Sequence, residues 1–154
     1  MSSVKIYTDA SFKEEKPRHN SHAGISCSIN QGTGSQIWIM SHIQVTSNGR
    51  AEATAIEMAL KNLPQDITDE TVTILNDNLP LVMSINGESN NHYDSDSSDI
   101  VQRIRRLLEN MKEKVQVKWL SRQDNHAADA MAYHALSYLP IDNSKRVMAN
   151  SMIM

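Results

Sequence analysis

The periodicity of the apolar residues changes part-way along the chain, and this change limits the fold more than any other feature. Three segments with strand-like alternation come first, over residues 4–8, 23–29 and 36–44. Helical patterns then alternate with two further strand-like segments, "TVTILND" and "VQVKWL". Strand–helix–strand units favour parallel pairing with right-handed crossovers, so the first, fourth and fifth strands should lie parallel. The order predicts an α/β fold in which a five-stranded mixed sheet, with strand order 3-2-1-4-5, is flanked by helices on both faces.

The chain of 154 residues is long enough for one domain with a substantial core, which we place at residues 1–140. Residues 141–154 show no firm pattern and are expected to form a mobile tail. No apolar run could span a membrane, and the first ten residues lack a signal-peptide pattern, so we expect a cytoplasmic protein that does not engage membranes. We also expect a monomer. The formal net charge of −3 gives no general attraction to nucleic acid, so any such binding must be local.

Aspartates end two of the predicted parallel strands. Asp9 follows the first strand-like run and Asp77 follows the fourth. Mixed sheets place ligand sites beyond the carboxyl ends of their parallel strands, so neighbouring strands would bring both carboxylates to one edge. The alternative is that both are turn residues, since aspartate favours turns.

Two further acids lie on helix positions that the apolar stripe occupies. Glu52 lies four residues before Ile56, and Asp129 lies in register with Ala132 and Leu136. Acids on inward faces must be neutralised. Two carboxylates 4 Å apart repel by roughly 4 kcal/mol at an effective dielectric near 20, while the total stability of a domain is only about 5–15 kcal/mol. Hard divalent cations such as Mg²⁺ remove this repulsion, so a cluster of these acids would predict a metal site.

Four segments, "YTDAS", "TSNGRAEATAIEMAL", "TILND" and "WLSRQDNHAADAMA", follow one another on the predicted elements. Together they resemble the ribonuclease H family, type 1, over about residues 4–139. The resemblance implies a ribonuclease H-like fold and endonucleolytic cleavage of the RNA strand of an RNA–DNA hybrid. It also implies two metal ions, Mg²⁺ or alternatively Mn²⁺, with Asp9 bridging them. The matching metal-binding carboxylates are Asp9, Glu52, Asp77 and Asp129.

Other residues match family positions that contact the substrate, and one matches the position of a catalytic residue. Asn48 matches a position that contacts the hybrid through its minor groove, although it could also cap the helix that follows. The segment "SRQDNHAAD" resembles a short form in which an arginine replaces the catalytic histidine of a longer loop, and this makes Arg122 a catalytic candidate. The alternative is a solvated surface arginine. Lys13, four residues after Asp9, is predicted to contact the nucleic-acid backbone, and Ser11 and Asn125 complete the predicted substrate contacts.

The chain departs from the family where many members carry a basic protrusion, because residues 87–99 read "GESNNHYDSDSSD" and are acidic. This departure leaves open a second function, that of a catalytically weak or inactive ribonuclease H-like nucleic-acid-binding protein. Other nucleases of related fold fit less well. Proofreading exonucleases typically carry a glutamate where Ser11 stands, and integrases and transposases take their glutamate from a later helix than the one with Glu52.

Overall fold

A computed structural model describes residues 3–31, 35–63, 71–88 and 94–150. Ten main elements follow one another along this part of the chain, with short 3₁₀ turns at Arg18–Asn20, Ser95–Ser97, Lys112–Lys114 and Arg122–Asp124. The elements are β1 (Ser3–Lys13), β2 (His22–Asn30), β3 (Ser35–Gln44), α1 (Asn48–Lys61), β4 (Thr71–Asn76), α2 (Leu79–Ile85), α3 (Ser98–Met111), β5 (Val115–Trp119), α4 (His126–Tyr138) and β6 (Ser144–Asn150).

The sheet has the strand order β5-β4-β1-β2-β3-β6. The predicted order of the first five strands is therefore confirmed, and β4 is parallel to both β1 and β5. The prediction of five strands is wrong, because β6 pairs antiparallel with β3 at the sheet edge. Backbone pairing rather than burial holds β6: Lys145 and Arg146 are exposed and Val147 is only half-buried. Such a strand leaves little apolar periodicity to detect. Residues 151–154 of the predicted tail lie outside the described residues.

Helices cover both faces of the sheet, as predicted. Alternate strand residues pack with α1, α2 and α3 in the larger core, which includes Ile6, Ile56, Ile74 and Ile104. The other face packs against α4. This packing is close at Gly24, where a Cβ atom would lie 2.0 Å from the backbone oxygen of Ala132 in α4. Only a glycine lets α4 approach β2 this closely.

We predicted that the first strand ends at Asp9, but β1 continues to Lys13. Its parallel pairing with β4 stops at Tyr7 and Leu75, but its antiparallel pairing with β2 continues as far as Lys13. Asp9 therefore lies two residues beyond the last parallel pair while β2 still holds its backbone. Asp9 is therefore part of a regular strand, but it has no paired residue on the β4 side.

The N-terminus of α1 also differs from the prediction. Ser47, not Asn48, is the capping residue, and its hydroxyl oxygen accepts a hydrogen bond from the Arg50 backbone N–H at 3.1 Å. Asn48 is the exposed first residue of α1. Within the described ranges, every helix is too short or too polar to cross a bilayer.

Candidate functional site

Three carboxylates from three different elements meet beside the end of the β1–β4 pair. Asp9 comes from β1, Glu52 from α1 and Asp77 from the residue after β4. Each offers an oxygen, and these oxygens all lie within 4.8 Å of one another. The predicted convergence of Asp9 and Asp77 at one edge thus holds in the structure, with Glu52 beside them.

This carboxylate cluster (Asp9, Glu52 and Asp77) is largely shielded from solvent. Asp9 is 5% exposed and Glu52 is 6% exposed. The Oε1 atom of Glu52 is buried and has no hydrogen-bond partner among the described residues. No lysine, arginine or histidine in the described ranges forms an ion pair with the cluster. The negative charge is therefore not balanced by side chains of this part of the protein.

Burial and mutual repulsion raise the affinity of the cluster for protons. Burial, followed by the charge of Asp77, raises the pKa of Asp9 to about 7. Burial, followed by the charges of Asp9 and Asp77, raises the pKa of Glu52 well above its usual value. A hydrogen bond from the Ala10 backbone N–H lowers the pKa of both groups but does not offset these effects.

These observations fit a divalent metal site. The donor set consists of hard carboxylate oxygens, and one buried oxygen has no hydrogen-bond partner among the described residues. Asp9, Glu52 and Asp77 can hold such an ion together.

Asp129 adjoins the cluster from α4. Its carboxyl group contributes, after burial and the charge of Asp77, to the raised pKa of Asp9. The position of α4 explains this proximity: Ser26, opposite Asp9 in the β1–β2 pair, donates from Oγ to the backbone oxygen of Ala128 at 2.6 Å. The prediction that Asp129 lies on the inward face of its helix is wrong, since Asp129 is exposed whereas Ala128 and Ala132 are buried.

Four other predicted residues lie in accessible positions. Ser11 and Lys13 follow Asp9 at spacings of two and four, which places all three on one face of β1, with Ser11 half-buried and Lys13 exposed. Asn48 is exposed, four residues before Glu52 on α1. Arg122 is exposed in the 3₁₀ turn before α4, and its side chain makes no hydrogen bond or ion pair with another described residue.

Asn125 requires a correction. We predicted a substrate contact, but its side chain is only 1% exposed. Its Nδ2 atom donates to the backbone oxygen of Thr8 at 2.9 Å and to Oδ2 of Asp77 at 3.4 Å. Asn125 therefore contacts protein groups behind the cluster and is inaccessible to a duplex.

Two buried polar residues beside the cluster were missed by sequence reasoning. Thr8 and Asn76 are each 0% exposed, and they directly precede Asp9 and Asp77. A signal was present: Thr8 continues the inward alternation of Val4 and Ile6. A polar residue at an inward strand position must find buried partners, and such partners point to a constrained site.

Comparison with known proteins places this geometry in a family. A family model described as RNase H matches residues 1–137. The chain is similar in structure to LC11-RNase H1, isolated from compost by a metagenomic approach, with a TM-score of 0.76, 21% identity, and coverage of 88% of this chain and 96% of that chain. It is also similar to RNase H1 from the halophilic archaeon Halobacterium salinarum NRC-1, with a TM-score of 0.71, 22% identity, and coverage of 87% and 97%.

A second structure of LC11-RNase H1, in complex with an RNA/DNA hybrid, gives a TM-score of 0.73 at 20% identity and covers 86% of this chain and 96% of that chain. At these identities the structural likeness concerns the fold. No curated protein matches the chain.

Proposed function

The chain belongs to the RNase H family, and from this premise we propose that it is a metal-dependent endonuclease that hydrolyses the RNA strand of RNA–DNA hybrids. The observation that carries the proposal is the carboxylate cluster, whose oxygens lie within 4.8 Å of one another with no cation from the described part of the chain to balance them. The fold shared with a protein whose structure contains an RNA/DNA hybrid supports the choice of substrate.

We assign Asp9, Glu52, Asp77 and Asp129 to the binding of two divalent ions, Mg²⁺ or alternatively Mn²⁺. Such ions, when bound, activate a water molecule and stabilise the leaving 3′ oxygen in an in-line displacement. Strand β1 and helix α1 hold Asp9 and Glu52, and Asp77 directly follows β4. Asp9 and Glu52 are buried, so little solvent reaches this part of the site. The proton on Asp9, whose pKa is raised to about 7, must leave before a cation binds there.

Contacts to the hybrid would come from accessible residues around the cluster. Lys13 would contact the phosphate backbone, and Ser11 lies between it and Asp9 on the same strand face. Asn48 would contact the minor groove, where 2′-hydroxyl groups distinguish RNA from DNA. Arg122 has a free guanidinium within the described structure and precedes the helix that carries Asp129, so we assign it the role of the histidine in longer family members.

The test is cleavage of a hybrid labelled on either strand, in Mg²⁺, in Mn²⁺ and in a chelator. We expect endonucleolytic products from the RNA strand only, and only with metal. Asp9→Asn should abolish them, while Glu109→Gln, an exposed acid on α3 that loses the same charge, should cut like the parent. Equal cutting by Asp9→Asn and the parent would reject the proposal.

One observation favours the second candidate, a weak or inactive nucleic-acid-binding protein. Thr46 and Ser47, just before α1, each donate a hydroxyl hydrogen bond of 3.0 Å to Oδ2 of Asp96. Arg50 pairs with Asp99 at 2.9 Å. The acidic segment thus occupies donors beside Asn48 that could otherwise contact phosphate. Residues 89–93 of this segment lie outside the described residues. Binding of the hybrid without any product under either metal would favour this candidate.

A further inference from the structure

Three buried polar side chains lie directly behind the carboxylate cluster. Thr8 and Asn76 are 0% exposed and Asn125 is 1% exposed. Thr8 precedes Asp9 in β1, and Asn76 precedes Asp77 at the end of β4. Asn125 is the capping residue directly before α4, and its backbone oxygen accepts a hydrogen bond from the Asp129 N–H at 3.1 Å. Each member therefore adjoins one of the proposed metal ligands.

Hydrogen bonds connect these three residues, between side chains for Thr8 and Asn76 and from the Asn125 side chain to the Thr8 backbone. Asn76 donates from Nδ2 to Oγ1 of Thr8 at 2.9 Å, and Thr8 donates from Oγ1 to the Leu75 backbone oxygen at 2.8 Å. Asn125 donates from Nδ2 to the Thr8 backbone oxygen at 2.9 Å. The Oδ1 atom of Asn76 accepts from the Asn78 backbone N–H at 2.9 Å, which fixes the turn around Asp77. This buried network (Thr8, Asn76 and Asn125) ties β1, the end of β4 and the start of α4 together.

The network lies where the sheet stops supplying backbone partners. The parallel β1–β4 pairing ends at Tyr7 and Leu75, so the Thr8 carbonyl beyond it needs another donor on that side. Asn125 supplies this donor from a position 117 residues away. The backbone of β1 next to Asp9 is therefore held by a side chain from the start of α4 rather than by β4.

Only the NH₂ half of the Asn125 amide makes hydrogen bonds to described residues. Its Oδ1 atom is buried without a partner among the described residues, which is costly for a polar atom. Its Nδ2 atom also donates to Oδ2 of Asp77 at 3.4 Å. A leucine would remove this donor, and an aspartate would add another negative charge to the cluster. The donor is therefore the part of the side chain that the site uses.

We propose that Thr8, Asn76 and Asn125 are positioning residues that hold Asp9 and Asp77 at the separation a divalent cation requires. The inference rests on the proposed metal-dependent function. The network acts on the acids through the backbone and through one hydrogen bond, and it contacts neither the cation nor the hybrid. Residues of this kind, which orient metal ligands, typically change metal affinity or activity by about 10–100-fold when they are replaced.

The test compares Thr8→Val, Thr8→Ser and Asn125→Ala with the parent. Valine keeps the shape of Thr8 without the hydroxyl, whereas serine keeps the hydroxyl. Thr73→Val is a matched control on β4, since Thr73 makes no side-chain hydrogen bond with another described residue. Two quantities are measured: the Mg²⁺ concentration that gives half-maximal hybrid cleavage, and the Mg²⁺ concentration that gives half of the metal-induced rise in Tm.

We expect Thr8→Val and Asn125→Ala to raise both Mg²⁺ concentrations by about 10–100-fold, with KM for the hybrid close to the parent value at saturating Mg²⁺. Thr8→Ser should restore the parent values, and Thr73→Val should not change them. A lower metal-free Tm with unchanged Mg²⁺ requirements would overturn the inference, because the network would then be only structural. A raised KM with unchanged Mg²⁺ requirements would overturn it in favour of a substrate contact.

The Tm titration separates this inference from the proposed function. A parent protein that binds Mg²⁺ but cuts no hybrid would reject the nuclease, while a shifted Mg²⁺ requirement in Thr8→Val would still uphold the positioning role. A parent that cuts the hybrid, with Mg²⁺ requirements identical in all variants, would uphold the nuclease and reject the positioning role.

Discussion

Helix α1 carries two buried glutamates, five residues apart, in opposite electrostatic environments. Glu52 and Glu57 are each 6% exposed. Arg103 of α3 holds Glu57 with two hydrogen bonds, from Nε to Oε2 at 2.7 Å and from Nη2 to Oε1 at 3.1 Å. Glu52 instead faces Asp9 and Asp77, and its Oε1 has no partner in the described structure. The same residue type, on one helix and at one degree of burial, is neutralised by the protein in one case and not in the other.

Burial alone therefore does not identify a carboxylate as a metal ligand. A buried carboxylate is costly unless it is paired, and a bidentate arginine offsets much of that cost. At Glu57 the chain supplies Arg103, and this ion pair connects α1 to α3. At Glu52 the described chain supplies two further acids, so the compensation must come from outside. An unpaired buried acid beside other acids is therefore the stronger indicator of a metal site.

The paired region also keeps the unpaired one in place. Arg103 lies 3.5 Å from Asp99, and Asp99 is bound by Arg50 through both guanidinium nitrogens at 2.9 and 3.2 Å. These contacts link α3 to both ends of the segment of α1 that contains Glu52. Ion pairs at Arg50 and Glu57 thus anchor α1 on both sides of Glu52, which forms no ion pair with a described residue.

Activity should separate the two glutamates most strongly. We expect Glu52→Gln to lower kcat for hybrid cleavage by on the order of a hundredfold or more, because replacing residues that merely orient metal ligands already costs about 10–100-fold. Glu57→Gln should stay within a few-fold of the parent, since Glu57 is bonded to Arg103 and faces away from the acids. Initial rates at saturating Mg²⁺ and hybrid measure both. Equal losses in the two variants would show that the environments are not functionally different.

Stability without metal should change in opposite directions. In a chelator, Glu57→Gln should lower the free energy of unfolding by about 1–2 kcal/mol, because hydrogen bonds to a charged partner are weakened and Arg103 is partly exposed. Glu52→Gln should raise it by roughly 1–4 kcal/mol at pH values where the parent acids are ionised, the range of the repulsion between carboxylates about 4 Å apart at effective dielectrics from 80 down to 20. Urea unfolding measures both changes.

Saturating Mg²⁺ provides the control for this pair. Added metal should reverse the sign for Glu52→Gln, since the parent then gains more from the bound cation than the variant does. It should leave the loss in Glu57→Gln unchanged. A Glu52→Gln protein that is less stable than the parent in chelator would contradict the account of Glu52 as an unpaired acid.

The fold was largely predictable because burial leaves a periodic signal in the central strands and helices. The missing strand, β6, has little of that signal, since Lys145 and Arg146 are exposed and the strand is held by its backbone. The sequence offered Asn48 as an alternative cap of α1, whereas the cap is Ser47; both residue types cap helices well, and only the backbone geometry distinguishes them.

The acids of the site were predictable by type and element, but their surroundings were not. Helical phase placed Asp129 on the inward stripe, whereas the buried residue is its neighbour Ala128, and a difference of one position is within the uncertainty of a short pattern. The buried network was not predictable, because its bonds join residues 68 and 117 positions apart. Sequence spacing carries no information on such pairs, and so Asn125 was misread as a substrate contact.

The pH dependence of metal-free stability should give the smallest but most specific contrast. The pKa of Asp9 is raised to about 7 and that of Glu52 is also raised, so between about pH 4 and pH 7 the native cluster holds more protons than the unfolded chain. Stability should therefore fall as the pH rises through this range.

The hydrogen bond from Arg50 lowers the pKa of Asp99 to about 2. Below about pH 4 the unfolded chain holds more protons at this residue, so stability should fall as the pH drops toward 2.

Single substitutions should remove the two limbs of this profile independently. In chelator, Asp9→Asn should flatten the fall between pH 4 and pH 7, and Asp99→Asn should flatten only the acid limb near pH 2. Saturating Mg²⁺ should also abolish the fall toward neutral pH, because the cation favours the deprotonated cluster. The measurement is the free energy of unfolding at constant ionic strength. A parent protein with level stability from pH 4 to pH 7 in chelator would mean that neither burial nor repulsion raises the pKa of Asp9 and Glu52, and the contrast between Glu52 and Glu57 would lose its electrostatic basis.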